Sequence, residues 1–117
     1  MTIQECYAIM GGNYDEVVGR LRTDERVQKF LMLFMKDTSF QDLQHGIETG
    51  NVEEAFRAAH TLKGVCGNLS ISRLGESSTA LCEYLRENRV IDDKVQSMLK
   101  TVDADYELTI SSIKQLS

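Results

Sequence analysis

His60 lies in a stretch whose residue types and spacing could do chemistry: a lysine follows it at position 63 and glycines follow at positions 64 and 67. An apolar set surrounds this stretch, formed by Ala55, Ala58, Ala59, Leu62, Val65, Cys66 and Leu69. On a helix turning about 100° per residue, this set spans about 120° and His60 lies about 160° from its centre. The imidazole is therefore predicted to face water.

Two glycines, which destabilise a helix, lie on the outer face of this one. Each costs about 1 kcal/mol relative to alanine in a helix interior. Glycine beside an exposed group allows another surface to approach, and Lys63 can place its ammonium beside an anion attached to the ring. Phe56 and Arg57 lie on the same outer stripe, so we predict that they contact a partner together with Gly67. Phe56 could instead flank the core, and Arg57 could belong to the solvated face.

Several chemistries use histidine, and the convex face of a helix suits one of them. General acid–base catalysis needs a pocket and a second group that orients the ring, and metal binding needs more ligands. An imidazole with the usual pKa of about 6.5 is a competent nucleophile at neutral pH. A phosphoryl carrier only has to present its group, because the partner can supply metal and positioning. The residues favour a phosphoryl carrier.

Helices are predicted to position these residues. Apolar residues recur at spacings of three and four, proline is absent, and no alternating strand pattern occurs. We predict an all-α fold, an antiparallel up-down four-helix bundle over about residues 24–116, preceded by one or two short helices within about 2–22. Residues 1–117 are predicted to form a single domain. Asn13 and Asn51, each three residues before a glutamate, are predicted N-caps, and Gly50 a helix end.

The run from Phe30 to Met35 is apolar nearly all round. Such a helix is expected to be central in the bundle or flanked on two sides, although part of the run could extend a docking surface.

Composition limits the partners and the compartment. The chain of 117 residues carries a net charge of -5, which argues against nucleic acid, whose binding depends on basic residues. It has no apolar run of about 18 to 20 residues that would span a membrane and no signal-peptide pattern. Three scattered cysteines predict reduced, structural thiols in a cytoplasmic protein, and we expect neither a metal nor a cofactor on this chain.

A resemblance adds to this interpretation. The run from Ala59 to Gly64, Ala-His-Thr-Leu-Lys-Gly, followed by Asn68-Leu69, resembles the signature of histidine-containing phosphotransfer (HPt) domains of bacterial phosphorelays. The similarity extends over most of the chain, through the positions Phe34, Phe40, Leu43, Ile47, Gly50, Asn51, Leu74, Leu81, Cys82 and Leu85. Ser70 departs from the family where a glycine often ends the helix, and Asn51 where an aspartate often stands.

The resemblance implies roles for individual residues. His60 matches the phosphoacceptor, Lys63 the supporting cation and Gly64 the small residue that clears the approach. It implies a carrier without kinase activity of its own, a monomer, and a receiver domain or a hybrid sensor histidine kinase as partner. Any Mg²⁺ that assists the transfer belongs to the receiver.

Two other functions remain open at this point. The chain could be the phosphoacceptor domain of a larger sensor or chemotaxis-type kinase, although the proline that sensor kinases usually place after their histidine is missing. It could also be a helical adaptor whose histidine is never phosphorylated. His45, near a predicted helix C-terminus, is interpreted as structural.

Overall fold

The computed structural model describes residues 1–116 and consists of helices joined by short connections. In chain order they are α1 (Ile3–Met10), α2 (Tyr14–Leu21), α3 (Asp24–Phe34), α4 (Ser39–Glu48), α5 (Val52–Leu69), α6 (Ser72–Asn88) and α7 (Asp93–Lys114). No strand occurs within the described residues. The predicted all-α fold is confirmed.

Side-chain caps set where the helices begin. The oxygens of Asn13 and Asn51 each accept the backbone N–H of the glutamate three residues on, at 3.0 Å, as the spacing predicts. Further N-caps are formed by Thr2, Thr23 and Asp92.

Residues in the left-handed region set where several helices end. Gly50 follows α4 with φ of 69°, and Ser70 follows α5 with φ of 54°. The N–H of Ile71 then donates to Cys66 O at 3.0 Å and that of Ser70 to Gly67 O at 3.3 Å, the pattern of a Schellman motif. Ser70 thus takes the conformation usually given to glycine, and its departure from the family pattern does not disturb the helix end.

Helix α5 lies at the middle of the bundle. It packs against α4 on one side and α6 on the other, while α6 packs on α7 and α4 reaches α7. The ring of Phe40 stacks on that of Tyr106 at 4.2 Å between centroids, which joins α4 to α7. Helix α3 packs beside the C-terminal half of α5 and α4 beside its N-terminal half, so the two together take the place of one bundle helix.

The predicted apolar arc of α5 faces the core. Its buried members are Ala55, Ala58, Ala59, Leu62, Cys66 and Leu69, while Val65 is half-buried. His60 is exposed on the opposite face, as the spacing predicts.

The expectation for the run from Phe30 to Met35 is wrong in part. Leu31 and Phe34 are buried, but Phe30 and Leu33 are 40% and 51% exposed. Helix α3 packs against α1, α2 and α5, but Phe30 and Leu33 lie on its outer edge in solvent. The run is therefore buried along one face only, although the helix has more than one neighbour.

None of the helices within residues 1–116 is both long enough and apolar enough to cross a membrane. Each helix of this described range contributes buried residues to a common hydrophobic core. The assignment of residues 1–117 to a single domain stays a prediction.

Candidate functional site

His60 projects from the third turn of α5 into solvent. Its ring centroid lies 6.0 Å from that of Phe56, one turn earlier, at an interplanar angle of 47°. Within residues 1–116 no hydrogen bond or ion pair holds the imidazole. Both ring nitrogens are therefore available to an incoming group.

Helix α6 contributes a second wall beside this ring. Together with Phe56, Arg57 and Thr61, Arg86 of α6 lines an open depression of about 320 Å³ at His60. The guanidinium carbons of Arg86 and Arg89 lie 5.7 and 5.8 Å from the centroid of the half-buried Phe56 ring. Phe56 thus supports two arginines by cation–π contact as well as flanking the histidine.

Two glutamates hold the cations around this depression. Glu53 accepts from Arg57 Nε at 3.0 Å and lies 3.4 Å from Arg89 Nη1. Glu83 plays the same part for two further cations, with Oε1 at 2.8 Å from Arg86 Nη1 and 3.8 Å from Lys63 Nζ.

The surface around His60 therefore carries four cations, namely Arg57, Lys63, Arg86 and Arg89, against the two carboxylates that bind them. Within residues 1–116, the depression at His60 is itself lined by Arg57 and Arg86 and by no carboxylate, which is a local excess of positive charge on a chain with a net charge of -5. The excess favours an anion beside the histidine.

The glycines beyond His60 leave open space. Gly64 and Gly67 are exposed, and a Cβ built on either has no atom within 4 Å outside the local helix backbone. Close packing of helices therefore does not explain these glycines. Gly46 of α4 is different, because a Cβ there would lie 2.6 Å from the backbone nitrogen of Ala55.

The N-terminal helices fix the C-terminal end of α5. Tyr7 Oη of α1 donates to Leu69 O at 2.7 Å in the interior. Arg20 Nη1 of α2 donates to Asn68 O at 2.6 Å and to Gly67 O at 3.2 Å. Carbonyls at a helix end otherwise lack partners, so these side chains stabilise the last turn of the helix that carries His60.

His45 lies outside this surface. It sits in the last turn of α4, where its Nδ1 is 2.6 Å from Glu54 Oε1 of α5. The carboxylate bonded to it raises the pKa of the His45 imidazole above its usual value. The structural role predicted for His45 agrees with this contact between two helices.

The thiols of Cys6, Cys66 and Cys82 are free and buried. Burial raises the pKa of Cys6 to about 11 and that of Cys66 to about 12, so neither is a reactive thiolate at neutral pH. Within residues 1–116, no three His, Cys, Asp or Glu side chains are grouped so as to hold a metal ion.

The structure brings only some of the predicted site residues together. His60, Phe56 and Arg57 line one depression, whereas Lys63 and Gly64 line a neighbouring one between α5 and α6. Sequence reasoning missed Glu83 and Arg86, which α6 brings to the surface around His60. Their spacing of i and i+3 on a helix predicts an ion pair within α6. It does not predict that this pair lies beside His60 of α5.

The fold and this surface first define a class: a helical bundle that presents one exposed histidine among cations on its central helix. Compared with known families, residues 29–108, more than half of the chain, match the model of the Hpt domain. The chain therefore belongs to the Hpt domain family. Hpt domains take part in histidine phosphotransfer in phosphorelays, as carriers that interact with receiver and kinase partners. Comparisons with curated proteins and with solved structures give no match.

Proposed function

We propose that this protein is a histidine phosphotransfer protein that carries a phosphoryl group on His60 between the aspartates of receiver domains. The observation that carries the proposal is the exposed and unbonded ring of His60 beside Arg86 and Arg57 in a member of the Hpt domain family. His45, the other histidine, is already bonded to Glu54.

The transfer needs little from this chain. An unprotonated ring nitrogen of His60 attacks the phosphorus of an aspartyl phosphate, forming an N–P bond as the P–O bond to the aspartate breaks. The aspartate leaves as a carboxylate, and the other ring nitrogen carries the ring proton. Lys63 and Arg86 stabilise the charge of the transferred group, and transfer to the next aspartate is the reverse reaction.

A receiver would dock over the outer face of α5. Gly64 and Gly67 provide clearance there, while Phe56 and Arg57 provide apolar and charged contacts. An apolar groove of about 390 Å³ continues this surface between α3 and the C-terminal half of α5. It is lined by Phe30, Leu33, Val65, Asn68 and Arg20, among others. The positive excess at His60 suits a partner whose phosphate-accepting pocket is acidic.

The transfer requires no cofactor, second copy or kinase activity from this chain. Mg²⁺ that assists the transfer is held by the acidic pocket of the receiver, and this chain needs no cofactor of its own. It acts as a monomer in the cytoplasm and does not phosphorylate itself from ATP. Its partner is a response-regulator receiver domain, a hybrid sensor histidine kinase, or both in sequence.

The experiment is a phosphotransfer assay against candidate receiver domains. Each receiver is phosphorylated with acetyl phosphate, freed of the reagent and mixed with this protein. We expect one or more receivers to lose phosphate as this protein gains an acid-labile, alkali-stable phosphoryl group. Failure of every receiver and hybrid kinase of the same genome to label the protein would refute the proposal.

Further measurements separate the two alternatives from the proposal. If the chain is the phosphoacceptor domain of a larger kinase, the native gene product is longer, which intact-mass measurement detects, and that product labels the histidine from ATP through its own catalytic domain. If the chain is a silent adaptor, the wild type and the His60→Gln variant bind a receiver equally tightly, and neither gains phosphate.

A further inference from the structure

Glu83 of α6 binds two cations of the His60 surface at once. Its Oε1 and Oε2 accept from Arg86 Nη1 at 2.8 and 2.9 Å, and Oε1 lies 3.8 Å from Lys63 Nζ. Arg86 lines the depression at His60, and Lys63 follows His60 by one turn of α5. A negative charge is thus fixed among the cations that a phosphoryl group would need.

A phosphoryl group on His60 adds about two negative charges to this surface. The Glu83 carboxylate destabilises this phosphoryl group in two ways. The carboxylate repels the phosphoryl oxygens directly, and it competes with them for Lys63 and Arg86. The side chains of Lys63, Glu83 and Arg86 are 34%, 39% and 47% exposed, so solvent weakens these interactions without removing them.

We propose that Glu83 is a positioning residue that limits how tightly this protein holds its phosphoryl group. It orders Lys63 and Arg86 in the unphosphorylated protein and opposes the charge of the phosphorylated one. The phosphoryl group is consequently held weakly enough to leave for an aspartate. This inference rests on the assignment of His60 as the phosphoacceptor.

The test is the equilibrium constant for phosphate exchange between this protein and a receiver that labels it. At concentrations at which the two proteins are dissociated, this constant depends only on the free proteins, so altered docking does not contribute. We expect Glu83→Gln to shift the equilibrium toward phosphorylated His60 by about two- to fivefold. The shift should diminish at high salt, because the charges are partly exposed.

Three further variants make the result specific. Glu83→Asp keeps the charge and should stay close to the wild type, and Arg86→Gln should shift the equilibrium toward the receiver. Glu107→Gln makes the same charge change at an exposed position of α7 and should have no effect.

Two different failures can be told apart. An unshifted equilibrium in Glu83→Gln, a shift toward the receiver, or a shift equal to that of Glu107→Gln would overturn the role of Glu83 alone. Absence of phosphate on the wild-type histidine would instead overturn the proposed function on which this role depends.

Discussion

The hydroxyl of Tyr7 donates a buried hydrogen bond of 2.7 Å to the backbone carbonyl of Leu69. This bond joins the first helix of the chain to the last turn of α5, the helix that carries His60. Burial raises the pKa of the Tyr7 hydroxyl, so it remains a donor throughout the neutral range. Residues 3–10 lie outside the stretch that matches the Hpt domain model, yet they stabilise the end of its central helix.

Tyr7→Phe should lower the free energy of unfolding by about 1–2 kcal/mol, because the buried carbonyl of Leu69 loses its donor. Urea denaturation followed by circular dichroism measures the change. Tyr14→Phe is the matched control, since its hydroxyl bonds Asp24 at an exposed site and water can replace it. Equal losses in the two variants would contradict the importance of burial here.

Gly64→Ala should raise stability and slow phosphotransfer. Alanine in an open helical position gains up to about 1 kcal/mol over glycine, whereas the added methyl group intrudes where a receiver would approach. Gly19→Ala in α2 is the control, because a Cβ there also meets no atom within 4 Å. It should stabilise the protein similarly and transfer phosphate at the wild-type rate. Slowing by both variants would contradict the role of Gly64 in clearance.

Gly46→Ala should lower the stability of the protein, in contrast to Gly64→Ala. Its Cβ would lie 2.6 Å from the backbone nitrogen of Ala55, so α4 and α5 would have to separate. Overpacking of this kind costs roughly 1–3 kcal/mol. A thermal midpoint equal to that of the wild type would contradict the close contact between the two helices.

Lys63→Glu should slow phosphotransfer by more than it destabilises the bundle. Lys63 loses one partly exposed ion pair with Glu83, which is worth about 1 kcal/mol or less. The transferred group, however, meets a negative charge in place of a positive one. Comparison of transfer rates and urea midpoints with Lys100→Glu, an exposed change in α7, measures the difference. Equal transfer rates at matched stability would refute the assignment of Lys63.

The bond between His45 and Glu54 should make part of the stability depend on pH. The Glu54 carboxylate raises the pKa of His45 from 6.5, so the folded state binds this proton more tightly than the unfolded state. The resulting stabilisation is fully present below pH 6.5 and is lost as the pH rises through the raised pKa. Glu54→Gln should therefore destabilise the protein more on the acidic side of neutrality than at alkaline pH. An NMR titration that places His45 at its ordinary pKa in the wild type would contradict this.

The sequence predicts what depends on one helix and misses what depends on two. The spacing of Ala55, Ala59 and Leu62 sets which face of α5 is buried, and thereby which way His60 points. The position of Glu83 and Arg86 depends instead on how α6 packs against α5. A Cβ at Gly75 would lie only 3.3 Å from that of Cys66, a close approach of the two helices that no periodicity within one helix specifies.

The exposure of Phe30 and Leu33 shows a second limit of sequence reasoning. Apolar composition predicts burial, but it does not distinguish a helix covered on two sides from one that leaves an apolar groove for a partner. The groove depends on how α3 packs beside the C-terminal half of α5, which leaves Phe30 and Leu33 exposed along its edge.

The most direct test of the central claim is the site of phosphorylation. His60→Gln and His45→Gln are compared with the wild type for phosphate gained from a phosphorylated receiver, with intact mass and acid lability as the measurements. We predict that His60→Gln gains none and that His45→Gln gains as much as the wild type. Unchanged labelling of His60→Gln, with an intact helical fold, would contradict the claim.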